Sequence, residues 1–234
     1  MSNNCTTLYK YVSLEFIHDI IANQRLFLND GSKFNDPFEV KITNRKTGKI
    51  EDITGLHILS LTNSHQNKLM WSHYGESHKG VCLAIDVPKK LVFPICYTGK
   101  RIYDDSNIDQ ILADINKNKN IKANLIKPFS SISIKKRYAY VKDQKWKYEK
   151  EYRIVFDEDD EHQLHQLIHE KDNWYLKVKI KRMYLGVNFH KNDPSKIKEI
   201  LDTCKLNGID IIYMKMSNSN YSVGPSRSSD CKAV

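Results

Sequence analysis

The 234-residue sequence has no long apolar run and only five cysteines. Without a stretch of about 20 apolar residues, it predicts no membrane-spanning helix. The amino terminus, MSNNCTTLYKY, lacks the charged and then apolar pattern of a signal peptide, so we expect a cytoplasmic protein with no membrane partner. The cysteines are scattered and form no CxxC pair, which argues against a disulfide framework or a structural zinc site.

Several motifs of known chemistry are also missing. The sequence contains no GxGxxG, no GxxxxGK[ST] and no GxSxG, so it gives no support for a Rossmann site, a P-loop or a hydrolase nucleophile elbow. An acidic run predicts a helix over residues 157–170, with His162, His165 and His169 on one stripe. Because no second element completes a tetrahedral site, we expect no metal.

Positive charge is in excess, with a formal net charge of +9. Such an excess makes an anionic macromolecule, RNA or DNA, a plausible partner. The run Lys135, Lys136 and Arg137 is interleaved with nearby tyrosines and Trp146, and such stretches can follow a nucleic-acid backbone and stack bases. The alternative is a lysine-rich surface over aromatic residues of the core.

Hydrophobic periodicity predicts a single α+β domain over residues 1–216. Apolar residues recur at helical spacing over residues 14–21, after Ser13 as a helix cap, and over residues 194–206. Alternating or continuous apolar runs predict strands between them, and no repeat or linker divides the chain. Residues 217–234 are rich in Ser, Asn and Gly, which predicts a flexible polar tail.

The stretch KWKYEKEYRIVF, residues 145–156, alternates as a half-buried strand does. Side chains two apart share a face, so Glu149, Glu151 and Arg153 are expected together on the face opposite the core. Two carboxylates and a guanidinium there indicate either a functional site or an ion-paired surface.

The segment MWSHYGESHKG, residues 70–80, concentrates aromatic and titratable side chains between glycines. These are Trp71, His73, Tyr74, Glu76, His78 and Lys79. Such a loop can form the wall of a binding pocket with groups that titrate near neutral pH. The alternative is a helix end whose aromatic residues pack inward while its histidines lie in water.

Five separated pieces carry a family resemblance. They are LYKY (8–11), FNDPFE (34–39), LMWSHYGESHKGVCLAID (69–86), WKYEKEYRI (146–154) and YLG (184–186). In order and spacing they resemble the signature of a large prokaryotic domain family of unknown function, and they span nearly the whole chain before the tail.

The opening of the chain is a strand with a polar residue, a helix, an N-x-R-L step and a second strand. This order resembles the start of ADP-ribosyltransferase folds, especially nucleic-acid-modifying toxins and RNA 2′-phosphotransferases. The resemblance implies a mixed or antiparallel split sheet with flanking helices, and those folds end their site with a glutamate pair on a late strand, where Glu149 and Glu151 stand here. The first-strand histidine or arginine of that superfamily is replaced by Tyr9 or Lys10.

The resemblance implies a chemistry for these residues. NAD would be the substrate, and Glu151 would bind the ribose 2′-hydroxyl and oppose the oxocarbenium charge. Glu149 would activate the acceptor, with His73 as a further catalytic candidate. Trp71 or Tyr74 would stack the nicotinamide. The other candidates for contact with NAD, or for orienting the glutamates, are Tyr9, Lys10, Tyr11, His78, Lys79 and Arg153.

The expected function is therefore an NAD-dependent ADP-ribosyltransferase-like enzyme. The resemblance implies a toxin or antiphage effector that modifies nucleic acid or protein, with an antitoxin or defence-system partner. A non-catalytic nucleic-acid-binding or regulatory module on the same fold is the main alternative, because the first-strand histidine is missing and the basic aromatic stretch is present. An RNA-directed phosphotransferase or nuclease is the third.

Overall fold

The computed structural model describes residues 4–44, 46–100, 107–108, 132–160 and 167–226. The strands within these residues are β1 (Cys5–Val12), β2 (Arg25–Phe27), β3 (Asn29–Asp30), β4 (Lys41–Thr43), β5 (Ile50–Asp52), β6 (Leu56–Thr62), β7 (Val81–Pro88), β8 (Phe93–Pro94), β9 (Cys96–Thr98), β10 (Val141–Asp143), β11 (Glu151–Asp157), β12 (Leu167–Glu170), β13 (Asn173–Lys177), β14 (Lys179–Leu185), β15 (Asp210–Met216) and β16 (Val223–Pro225). Within the same residues, the α-helices with both ends described are α1 (Leu14–Asn23), α2 (Lys68–His73), α3 (Ile134–Arg137) and α4 (Pro194–Leu206). The predicted α+β class is confirmed.

The chain forms two compact units, each assembled from separate segments. Unit 1 comprises Met1–Leu26, Leu61–Val87 and Lys177–Val234, and unit 2 comprises Phe27–Ser60 and Pro88–Leu176. The single domain expected over residues 1–216 stays a prediction. No helix in the described part of the chain is long and apolar enough to cross a membrane.

Unit 1 is built on a sheet with the strand order β16-β15-β14-β7-β1, and Tyr9 of β1 lies opposite Thr62 at the end of β6. β14 pairs with β15 in parallel and with β7 in antiparallel. A parallel pair requires a crossover connection, and α4 supplies it between β14 and β15. The sheet is therefore mixed.

The two long helices of unit 1 follow the predicted spacing. On α1 the buried residues are Leu14, Ile17, Ile20 and Ile21, and the helix contacts α4. Ser13 occupies the N-cap position of α1 without a side-chain cap bond, and the carboxylate of Glu76 accepts from the Leu14 amide at 3.2 Å instead. A carboxylate at this end is favourable because the helix N-terminus carries partial positive charge.

The stretch predicted as a tail from residue 217 contains the strand β16, which pairs antiparallel with β15. The amide of Ser217 donates to the carbonyl of Ser222 at 2.9 Å, closing the connection between the two strands. Composition alone missed this strand because backbone pairing does not require apolar side chains. Residues 227–234 lie outside the described residues.

Unit 2 contains the strand order β6-β11-β8, with β3 also paired to β6. Two hairpins, β4–β5 and β12–β13, and the parallel pair β9–β10 complete its strands. Its hydrophobic core is formed by the buried side chains of Val40, Leu56, Ile58, Phe93, Ile95, Cys96, Ile108, Tyr138, Ala139, Tyr140, Val141 and Val155.

The strand predicted over residues 145–156 begins only at Glu151. Gln144–Glu149 is a 3-10 helix, which Asp143 caps by accepting from the Lys145 amide at 2.8 Å. It ends at Lys150, which takes the left-handed conformation with φ +47°. The alternating pattern did not reveal the helix because capping and a left-handed residue, rather than periodicity, define so short an element.

The helix predicted over residues 157–170 is also wrong at its carboxyl end. Leu167–Glu170 is the strand β12, which pairs with β13, and residues 161–166 lie outside the described residues. The ring of His169 stacks on the indole of Trp174, its partner across the hairpin, with centroids 4.2 Å apart. Cross-strand packing of this kind overrides a local helical pattern.

Candidate functional site

The signature motifs separate into two groups, one in each unit. FNDPFE (34–39) and WKYEKEYRI (146–154) supply unit 2 with charged side chains that meet in its interior. LYKY (8–11), MWSHYGESHKG (70–80) and YLG (184–186) meet in unit 1. Each group forms an arrangement with its own chemistry.

Five ionisable side chains of unit 2 form one ion-paired group, which we call the buried charge cluster. Its members are Glu39, Lys142, Glu149, Glu151 and Arg153. Each of them is at most 6 % exposed. Because burying a charge is unfavourable without a partner, this burial depends on the mutual pairing of the five.

Arg153 is the most buried member and binds three elements of unit 2. Its Nε donates to Glu151 Oε1 at 2.6 Å, and its Nη2 donates to Glu151 Oε2 at 3.1 Å and also to Glu39. Nη1 donates to the carbonyl of Ala139 at 2.7 Å, and the ring of Phe34 lies 4.8 Å from the guanidinium carbon. Only arginine offers this planar fork of donors.

Lys142 joins the carboxylates on the other side of the cluster. Its ammonium donates to Glu149 Oε2 at 2.6 Å and to Glu151 Oε2 at 3.1 Å. It also lies 2.9 Å from Glu39 Oε1, an ion pair without hydrogen-bond alignment. The ring of Trp146 lies 4.9 Å from the same nitrogen. Glu149 and Glu151, which are one residue apart and form an E-x-E pair, therefore share one ammonium group.

The FNDPFE loop places Glu39 in the cluster through a local turn. Asp36 accepts from the amide of Phe38 at 2.9 Å through its side chain and from the amide of Glu39 at 3.2 Å through its carbonyl. An aspartate that bonds the backbone two residues on, followed by proline, is typical of such turns. The turn leaves Phe38 half exposed and Glu39 buried.

The pKa values follow from burial and pairing. Burial alone would raise the pKa of Glu151, but the charges of Arg153 and Lys142 outweigh it and lower that pKa to about 2. Burial would lower the pKa of Lys142, yet the carboxylates of Glu151 and Glu39 raise it above its ordinary value. Both groups are therefore ionised at neutral pH.

This pairing predicts the acid sensitivity of the protein. The pKa of Glu151 falls from 4.5 to about 2 on folding, so its stabilising contribution is complete above pH 4.5 and is lost as the pH falls towards 2. We expect urea unfolding midpoints of the wild type to fall steeply across that window and those of Glu151→Gln to fall less steeply. If the midpoints of the two proteins fell equally steeply with pH, the ionisation of Glu151 would not be the cause of the acid sensitivity.

A cavity of about 200 Å³ lies next to the cluster in unit 2. Lys142 forms part of its wall, together with its β10 neighbours Val141 and Asp143 and with Lys41 and Lys100 on neighbouring elements. Ligand pockets for small molecules usually measure about 300–1,000 Å³, so this cavity has room for a ribose-sized group rather than for a dinucleotide.

The prediction that Glu149, Glu151 and Arg153 lie near one another is confirmed, but their expected position on a face opposite the core is wrong. They are buried because Glu39, from a distant stretch, pairs with Arg153, and Lys142, a few residues upstream, pairs with Glu149 and Glu151. Sequence reasoning gave neither of these two residues a role in the site. The only available signals were the terminal glutamate of FNDPFE and a lysine next to the WKYEKEYRI motif.

In unit 1, the loop that follows α2 adopts an unusual backbone. Glu76, Ser77 and His78 all have positive φ, at 53°, 53° and 67°. Non-glycine residues seldom adopt this left-handed region, and runs of them are rarer still. The His78 amide donates to the carbonyl of Trp71 at 3.1 Å, which holds the loop in this conformation.

Gly186, which follows β14, packs closely against the His78 loop. A Cβ added to Gly186 would lie 2.1 Å from the carbonyl oxygen of His78, so no other residue fits without displacement. The carbonyl of His78 accepts from the Asn188 amide at 3.0 Å, and the carbonyl of Ser77 accepts from the Asn188 side chain at 3.3 Å. The YLG motif and the His78 loop therefore pack together and depend on each other for their conformation.

The His78 ring packs on the indole of Trp71, with centroids 6.2 Å apart and nearly parallel planes. Burial lowers the pKa of His78 below its ordinary value, so the ring is neutral at neutral pH. Trp71 itself is completely buried, donates to the carbonyl of His65 at 2.9 Å and contacts Tyr11 edge to face. Its indole therefore has no exposed face on which a nicotinamide could stack.

The other residues of unit 1 that were predicted to bind NAD differ in their exposure to solvent and in their neighbours. The ring of Tyr9 contacts His65 at a tilt and Tyr184 edge to face, whereas His73 and Lys79 are exposed. Tyr74 is half buried at the end of α2 and Lys10 is half buried on β1. Their roles towards NAD stay predictions.

The basic run proposed for nucleic acid lies in unit 2, where it meets the acidic run at 157–160. The ammonium of Lys135 lies 2.7 Å from carboxylate oxygens of two aspartates of this run. Lys136 is buried and lies 3.4 Å from a third aspartate, and Arg137 donates to the carbonyl of Ile132 at 3.1 Å. Much of the positive charge of the run is therefore neutralised locally.

His162 and His165, two members of the predicted histidine stripe, lie outside the described residues. His169 belongs to β12 rather than to a helix. Among the described residues, no three His, Cys, Asp or Glu side chains come together as a metal site.

Comparison with protein families gives one match. The family described as "Protein of unknown function (DUF2971)" matches residues 70–154, a range that includes MWSHYGESHKG and WKYEKEYRI and excludes LYKY, FNDPFE and YLG. No curated protein and no solved structure matches the chain. Over residues 70–154 the chain is thus similar to a domain family of unknown function, as its motifs predicted.

Proposed function

We propose that the protein is an NAD-dependent ADP-ribosyltransferase-like enzyme with Glu151 and Glu149 as its reacting carboxylates. One observation carries the proposal: both glutamates of the E-x-E pair converge on the ammonium of Lys142, and Glu151 is held ionised far below neutral pH. A fixed negative charge is what a reaction through a positively charged intermediate requires.

In this reaction the bond between nicotinamide and ribose C1′ breaks, and nicotinamide leaves with the bonding electron pair. Positive charge develops on the ribose, and the carboxylate of Glu151 opposes it while accepting from the ribose 2′-hydroxyl. The acceptor forms its bond to C1′ and loses its proton to Glu149. Arg153 and Lys142 orient both carboxylates, which need no further reorganisation during the reaction.

The cavity beside Lys142 supports this assignment by its size and charge. Its volume of about 200 Å³ admits the ribose end of a ligand, and Lys41 and Lys100 in its wall suit an attached phosphate. Glu149 and Glu151 are not among its described lining residues, so a ribose in the cavity would reach them only past Lys142, which binds both. Because of the size of the cavity, we expect the rest of NAD to remain outside it.

The test uses the full chain with NAD. Release of free nicotinamide is measured by chromatography with single-stranded RNA, single-stranded DNA or protein as acceptor, beside a melting curve with and without NAD. We expect nicotinamide release with one of these acceptors and a higher melting temperature with NAD, because a ligand that binds only the folded state stabilises it. Neither release nor a shift in melting temperature would overturn the proposal.

A non-catalytic nucleic-acid-binding module is the second candidate, because the formal net charge of the chain is +9. The same protein and acceptor samples distinguish this candidate from the transferase. Retention on single-stranded RNA, weakening as salt rises and without any NAD turnover, would support the second candidate over the first. The local pairing of Lys135 and Lys136 makes other basic residues the expected contacts in that case.

A further inference from the structure

Unit 1 contains a second cavity, far larger than the one in unit 2. Its volume is about 720 Å³, and it lies between the His78 loop, the turn after β14 and the connection from β15 to β16. This volume falls within the range of sites for small molecules of nucleotide size. The cavity does not use any residue of the buried charge cluster, so its function is a separate question.

The lining of this cavity is chemically selective. Among its described lining residues there is no Asp or Glu, and Lys68 supplies a positive charge. Hydroxyl and amide side chains, including Asn188 and Asn220, supply hydrogen-bond donors and acceptors. An anionic ligand with many polar edges fits such a lining.

One aromatic ring is presented to solvent at this cavity. Tyr221 is 95 % exposed, and the ammonium of Lys68 lies 5.8 Å from the centre of its ring. An exposed tyrosine is a suitable platform for a planar ligand, and the adjacent lysine suits a phosphate attached to it. A simple anion such as sulfate would not use the ring.

Another part of the lining has a constrained backbone. His78 belongs to the run of three left-handed residues, and Asn188 fixes that run by two hydrogen bonds while it also lines the cavity. Unusual backbone conformations persist only where the surroundings impose them, and they concentrate at binding and catalytic sites. His78 also keeps its Nδ1 buried with no hydrogen-bond partner among the described residues, a feature that calls for an explanation.

We propose that the cavity bounded by His78, Asn188 and Tyr221 is a binding site for a nucleoside monophosphate or the corresponding part of a larger nucleotide. The base stacks on Tyr221, the phosphate binds Lys68, and the amide and hydroxyl side chains contact the sugar and the edges of the base. The His78 loop forms a preorganised wall, so little ordering is needed there on binding. This site does not depend on the proposed transferase activity.

The experiment is a calorimetric titration of the full chain with AMP, adenosine and inorganic phosphate as separate probes. We expect AMP to bind more tightly than either fragment, since only AMP meets both the ring and the ammonium. Tyr221→Ala should weaken AMP binding by about 5- to 150-fold, the usual effect of losing one stacking contact. Lys68→Met should weaken AMP binding about tenfold or more and leave adenosine binding unchanged.

The controls are Tyr213→Ala and Lys191→Met, which change an exposed tyrosine and an exposed lysine of unit 1 away from the lining. Both should bind AMP as the wild type does. Absence of AMP binding, or equal affinity in the wild type and the Tyr221→Ala and Lys68→Met variants, would overturn the proposal. Binding of phosphate as tight as that of AMP would also overturn it, because the site would then recognise an anion alone. The Glu151→Gln variant, if folded, should retain AMP binding even where NAD turnover is absent.

Discussion

Replacing Glu151 by Gln is expected to lower nicotinamide release by about 100- to 1,000-fold, the usual consequence of removing one electrostatic group from a reacting centre. Glutamine keeps the size of the side chain and most of its hydrogen bonding but cannot oppose a positive charge on the ribose. The measurement is the initial rate of nicotinamide release with the acceptor identified for the wild type. Glu149→Gln should reduce transfer to the acceptor more than hydrolysis of NAD, because its role concerns the acceptor proton.

The same variant should also lose stability. Glu151 pairs with both cations of the buried charge cluster, so Glu151→Gln leaves Arg153 and Lys142 with less compensation and should lower the melting temperature. Rates are therefore compared at a temperature where both proteins are folded, with Glu51→Gln on the exposed strand β5 as the control. A folded Glu151→Gln protein with wild-type turnover would remove Glu151 from the reaction.

Replacing Arg153 by Met should lower the free energy of unfolding by about 3–5 kcal/mol, as is typical when one partner of a buried ion pair is removed. Glu39 and Glu151 would then remain buried beside a single lysine, and the carbonyl of Ala139 would lose its donor. Urea unfolding followed by circular dichroism measures the change. Arg153→Lys should also be destabilising, since a single ammonium cannot reproduce the bidentate contact with Glu151.

The matched control for this prediction is Arg182→Met, which removes an exposed arginine whose contact with Asp210 is 3.5 Å long. Exposed pairs contribute little because water screens them, so the stability of this variant should remain close to that of the wild type. The double variant Glu39→Gln, Arg153→Met should lose less stability than the sum of its parts, because each single change already breaks the same pair. Strict additivity, or a loss below about 1 kcal/mol for Arg153→Met, would contradict the role of the cluster.

Sequence periodicity predicted those elements whose stability is local. The apolar spacing of α1 and the Asp193-Pro194 start of α4 are properties of neighbouring residues, and both helices occur where the pattern placed them. The same reasoning failed over residues 145–156, where a capped 3-10 helix and a left-handed Lys150 replace the expected strand. Such short elements depend on individual hydrogen bonds that a periodic pattern does not contain.

The buried charge cluster shows why the site could be predicted only in part. Spacing on the strand accounts for Glu151 and Arg153, since residues two apart share a face, whereas Glu149 joins them from the end of the 3-10 helix. Whether that face meets water depends on Glu39, which binds Arg153 across 114 positions of sequence, and on Lys142. A charged face with no partner would have to remain in water, and the partners here come from elsewhere in the chain.

Composition and local spacing by themselves determined the α+β class, the principal helices and the neighbourhood of the glutamate pair. Tertiary structure alone decided that this pair is buried, that the signature motifs divide between two compact units, and that His78 is held in a left-handed turn against Gly186. The physical reason is the same in each case. Helical spacing and strand alternation arise from residues a few positions apart, whereas burial, ion pairing and close backbone approach arise between residues that only the folded chain brings together.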